Sequence, residues 1–122
     1  NLLRSLPPGR RVIVTHYPLF LSSGKPESRW RKMRDWKEMR SLCVETGVSL
    51  WLHGHRHHSY LLPAGEGIPF PCVCVGSSTQ VNRWSYHDYR FDAEVLTVQR
   101  RSFDPLTGEF VDRELMTVKL PR

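Results

Sequence analysis

Two short apolar runs constrain this chain most: RRVIVTH at residues 10–16 and VSLWL at residues 48–52, each closing on or just before a histidine. The first follows a Pro-Pro-Gly turn, and its β-branched centre reads as a strand buried on both faces. Tyr17 and Pro18 end it, since the residue before a proline is driven to extended backbone and proline cannot continue a ladder. Between the runs, Trp30, Met33, Trp36, Met39, Leu42 and Cys43 recur at the period of a helix face that docks on a sheet. The spacing predicts a helix starting near Pro26, with Glu27 favourable against its dipole and Gly47 closing it at C′. Strand, helix and strand over residues 12–52 make one βαβ unit with a right-handed crossover. It carries His16 and His55 to one edge of the sheet, at the carboxyl ends of strands, where open α/β sheets place their ligands.

The pattern changes after residue 58. Short strands are expected at residues 59–62 and 72–75, separated by a Pro-rich loop over 63–71. Residues 93–103 and 110–120 read as a hairpin around the DPLTG turn at 104–108. Asn82, Arg83, Tyr86 and His87 are expected in a loop after the GSS at 76–78. The opening NLLRSL at residues 1–6 reads as the last turns of a helix already under way, which raises the expectation of a truncated start.

At 122 residues, 39% of them hydrophobic, the chain can bury one core, so residues 1–122 are expected to form part or all of a single domain. No run of about 20 apolar residues is present to cross a bilayer, so no membrane partner is expected. The net charge of +6 favours phosphorylated partners through long-range attraction. Much of the excess lies in KPESRWRKMRDWKEMR at residues 25–40, where acidic residues interrupt the basic ones as on a solvated helix face. No nucleic-acid-binding module is recognisable, so nucleic acid is not an expected partner. Three cysteines, an odd number, point away from a disulfide framework and towards a cytoplasmic setting. Cys72 and Cys74 share one strand face, as buried thiols or, alternatively, as a C-x-C metal site.

Four of the six histidines fall in WLHGHRHH, residues 51–58. Neutral imidazole ligates Zn, Mn and Fe, and in an extended loop His55 and His57 project to the same side while Arg56 points to the other, towards solvent. Gly54 would permit a turn that a β-carbon obstructs. A solvated, His-rich loop is the bland alternative. No G-x-S-x-G elbow accompanies Ser77 and Ser78, which argues against serine hydrolysis.

A strand ending in T-H-Y-P, a helix, a strand ending in G-H-x-H and a closing hairpin together resemble the carboxyl-terminal half of the calcineurin-like metallophosphoesterases. The resemblance runs from about Val12 to the end. It implies an α/β fold, an αββα sandwich present here as a partial domain, and hydrolysis of a phosphomonoester or phosphodiester by metal-activated water. It implies two divalent metal ions (Mn, Fe or Zn), His16 and His55 holding one and His57 the other, with His53 and His58 outside the ligand set. The implied substrate is a phosphorylated small molecule or nucleotide. The family's D-x-H, G-D-x-x-D and G-N-H-[DE] motifs do not occur in this sequence. The resemblance therefore also implies a missing amino-terminal half as partner, and a chain inactive alone. The alternative is a non-catalytic scaffold or partner-binding module derived from the same fold.

Overall fold

The computed structural model describes residues 2–29 and 33–121. A short helix α1 (Leu2–Ser5) leads into strand β1 (Arg11–Thr15), helix α2 (Trp36–Glu45) and strand β2 (Val48–His53). Strands β1 and β2 pair in parallel, Ile13 opposite Trp51 and Thr15 opposite His53, as a βαβ unit requires. Beyond them lie β3 (Ser59–Leu62) and β4 (Cys72–Val75). These complete a four-stranded sheet of order β1-β2-β4-β3, with β4 parallel to β2 and β3 antiparallel at the far edge. A second, antiparallel sheet holds β5 (Ser85–Asp92), β6 (Val95–Asp104) and β7 (Glu109–Lys119).

Alternation along β4 explains the layering. Cys72 packs with Cys43 of α2, Trp51, Phe70 and Leu19 on one face of the first sheet; Trp51 and Phe70 stack with ring centroids 6.2 Å apart. The next residue, Val73, points the other way and joins Leu50, Leu96, Val98 and Val118 between the two sheets. The described residues thus form three layers, helix on sheet on sheet. A second helical layer, which an αββα sandwich has, is not among them.

The two strand cysteines are buried thiols. Burial pushes Cys72 up to about 12 and Cys43 up to about 11, and raises Cys74 as well. All three are free.

Three expectations need correction. The helix starts at Trp36, ten residues after Pro26. Pro26 instead bridges to Phe20 across a tight loop, where the Leu21 N–H donates to the Lys25 carbonyl and the Gly24 N–H to that of Leu21. Trp30 lies outside the described residues; Met33, Trp36 and Met39 pack on the core as expected. Gly47, with φ 70°, closes α2, its N–H donating to the Val44 carbonyl.

Strand β1 is not buried on both faces. Val14 is 74% and Val12 38% exposed. Their partners across the ladder are Leu52 and Leu50, and Leu50 is fully covered by the second sheet. That sheet does not extend over the edge strand, so β1 has one packed face, where Ile13 meets the helix-side core, and one open face.

Tyr86 and His87 belong to β5 rather than to a loop, while Asn82 and Arg83 do precede it. The hairpin predicted in the tail is present as β6 and β7, and β5 adds a third strand through a turn at Ala93 and Glu94.

Candidate functional site

The carboxyl ends of β1 and β2 meet at the histidines. The Gly54 N–H donates to the His16 carbonyl at 3.2 Å, which ties the loop after β2 to the end of β1. Across that tie His55 Nδ1 lies 3.3 Å from His16 Nε2. Tyr17 closes a group of three rings, its centroid 4.9 Å from His16 and 4.8 Å from His55. Two imidazoles separated by 39 positions in the chain are thus brought together by the parallel ladder.

The loop between them is not extended. The Arg56 N–H donates to the Gly54 carbonyl at 2.7 Å, a three-residue turn centred on His55. His55 has φ 64° and His57 φ 56°, left-handed values that cost a residue bearing a β-carbon. Gly54 has no positive φ, and a β-carbon placed on it would meet no atom within 4 Å, so it is not the residue that makes the turn. Alternation therefore fails as a way of aligning the two histidines. His57 instead lines a cavity with His58 and residues of the second sheet. Among the described residues, no group of three or more His, Cys, Asp or Glu is arranged to hold a metal ion.

The donor set fits a metal in part. Two nitrogens on a tetrahedral ion at about 2.0–2.1 Å lie about 3.3–3.4 Å apart. The His16–His55 separation of 3.3 Å matches that spacing and is also within reach of a long imidazole–imidazole hydrogen bond. His57 does not join the pair, and no carboxylate does among the described residues.

Arg56, expected to face solvent, is 31% exposed in its side chain and is also tied inward. Its Nη1 donates to Glu27 Oε2 at 3.3 Å; the Glu27 side chain is 3% exposed and its Oε1 accepts from the Ser28 N–H. Glu27, expected at a helix start, instead pins the histidine loop from below through Arg56. No spacing rule links positions 27 and 56, so the pair was invisible to sequence reasoning.

His53 lies in the interior at 2% exposure, with Nδ1 on the Gly54 carbonyl at 3.0 Å and its buried Nε2 without a hydrogen-bond partner. Burial, foremost, holds it below the usual histidine range. Cys74 Sγ also donates to the Gly54 carbonyl, at 3.4 Å, so β2 and β4 both buttress the loop. His58 contacts the Arg56 carbonyl through Nδ1 at 2.9 Å.

No family model matches the chain, and no curated protein does. Among solved structures, it is similar to Vps29 of Chaetomium thermophilum, with 14% identity and a TM-score of 0.48 over 72% of this chain and 48% of that one. It is also similar to a single-mutant Vps29 from Entamoeba histolytica, with 16% identity and a TM-score of 0.42 over 67% of this chain and 48% of that one. The chain thus spans about half the length of these structures, 48% of each.

Proposed function

We propose that this chain carries a two-histidine share of a phosphoesterase-type metal site, and that it does not hydrolyse phosphate esters alone. The observation that supports the reading is the meeting of His16 and His55 at the carboxyl ends of two parallel strands, at a separation suited to one shared ion. When bound, a pair of divalent ions would polarise a phosphoryl group and supply a hydroxide nucleophile. The chain's own part is to hold His16 and His55 in register and to fix the loop through Arg56 and Glu27. Imidazoles bring no negative charge, so two cations about 3.5–4 Å apart need carboxylates from another segment to offset their repulsion. The phosphorylated substrate, the Mn, Fe or Zn identity of the ions and the missing half as partner all belong to this proposal.

Spectroscopic titration with Co²⁺ or Zn²⁺ tests it. Wild-type protein should take up no more than one ion per chain, His16→Ala and His55→Ala should each weaken uptake at least about tenfold, and His57→Ala should weaken it less. No variant should turn over a chromogenic phosphodiester. Uptake indifferent to His16 and His55 would refute the assignment.

A second reading, a non-catalytic scaffold or partner-binding module on the same fold, is favoured by one observation: His57 stands apart from the pair, and no third ligand gathers there among the described residues. Neither Vps29 overlap decides between the two. Replacing His16 and His55 together by alanine in the native gene separates them, since a scaffold keeps its cellular role and an enzyme loses it.

A further inference from the structure

The space into which His57 projects has a chemistry of its own. Along β6, Leu96 and Val98 point into the core between the sheets and are fully buried; Arg100 and Ser102, two and four residues on, continue the same face. The apolar core therefore gives way to a polar cavity of about 770 Å³ at one end of the sandwich. Strand β7 contributes from the other side. Register between β6 and β7 shifts between Gln99 and Arg101, with Gln99 opposite Leu115 and Arg101 opposite Asp112. The extra residue on β7 lets the adjacent Arg113 and Glu114 both line the cavity, which strict alternation forbids. Arg83, from the loop before β5, lines it as well.

The charges do not balance. Glu114 is committed to Arg100, Oε2 to Nε at 2.6 Å, and that guanidinium, foremost, holds its carboxyl down to about 2. Arg113 Nε donates to the Ser102 hydroxyl at 2.8 Å and forms no ion pair among the described residues, nor does Arg83. Three guanidiniums from three separate elements thus face one carboxylate across a space of the size that small-molecule sites occupy. A guanidinium offers paired N–H donors whose spacing matches phosphate oxygens.

We propose that this cavity is an anion site for a phosphate-bearing ligand, held by Arg83 and Arg113 with Arg100 kept in place by Glu114. That such a ligand is the substrate of the His16–His55 site rests on the phosphoesterase reading; that the cavity binds it does not.

Calorimetric titration of the 122-residue chain with inorganic pyrophosphate, in EDTA and at low salt, tests the cavity without any metal. Binding should be saturable, should weaken at least about tenfold in Arg83→Gln and in Arg113→Gln, and should weaken as salt rises. It should be unchanged in Lys37→Gln, which removes an exposed cation of α2 away from the cavity. Arg83 lies on an exposed loop, and far-UV circular dichroism of each variant checks that the fold persists. Absence of saturable binding by the wild type, binding that survives both arginine substitutions in folded protein, or binding lost equally in Lys37→Gln would each overturn the proposal. Failure of metal uptake through His16 and His55 refutes the phosphoesterase reading and leaves this measurement standing.

Discussion

His87 is kept neutral by its surroundings. Its Nε2 lies 2.9 Å from the Ser59 hydroxyl and its Nδ1 3.2 Å from the Tyr89 hydroxyl, across β3 and β5. Burial, and then Arg100, push it down to about 4, while Glu114 acts the other way. An unfolded histidine titrates near 6.5. Between about 6.5 and 4 the unfolded chain therefore binds a proton that the folded chain refuses, so stability falls as pH drops through that window and is fully present above it. Buried His53, shifted the same way, adds to the trend. Melting temperature should decline from pH 7 to pH 4.5, and decline less steeply in His87→Gln. Parallel profiles for the two proteins would show that His87 does not contribute.

At the scale of elements, the junction of β4 with the loop before β5 is set by Gly76. Its φ is 81°, and a β-carbon there would meet the Ser85 hydroxyl at 3.0 Å and the Ser59 amide nitrogen at 3.6 Å. Gly76→Ala should cost about 1–3 kcal/mol in urea denaturation, because left-handed backbone and close contact both oppose it. Adding Ser85→Ala should recover only the contact part; full recovery would mean that the backbone conformation carries no strain. The loop after β2 takes the opposite course, with left-handed conformations at His55 and His57 and none at Gly54. The left-handed backbone at His55 and His57 is supported by the Arg56–Glu27 ion pair and by Cys74 on the Gly54 carbonyl.

Across the whole molecule, stability resides in the two buried clusters, helix-side and inter-sheet, and not along the open face of β1. Leu50→Ala should cost about 2–5 kcal/mol, because Leu50 is fully enclosed by Val73, Leu96 and Val98. Val14→Thr, at a site 74% exposed, should stay within about 0.5 kcal/mol. Equal losses in the two variants' denaturation midpoints would mean that β1 is covered in solution. The same contrast separates what was legible in the residues from what was not. Apolar repeats and turn residues located β1, β2, β3, β4 and the tail hairpin, the core-facing Trp36 and Met39 of α2, and the placing of His16 and His55 at one sheet edge, since each follows from backbone repeat, turn chemistry or strand direction. Periodicity does not report which neighbour reaches a given face. It missed the exposure of Val12 and Val14, the late start of α2, the pairing of β5 with β6, and the turn that sends His57 away from His55. Those depend on how far one sheet extends over another and on partners such as Glu27 and Arg56, distant in sequence and adjacent only once the chain has folded. In WLHGHRHH the residue types were enough to nominate ligands; only the folded backbone decided that His55, and not His57, meets His16.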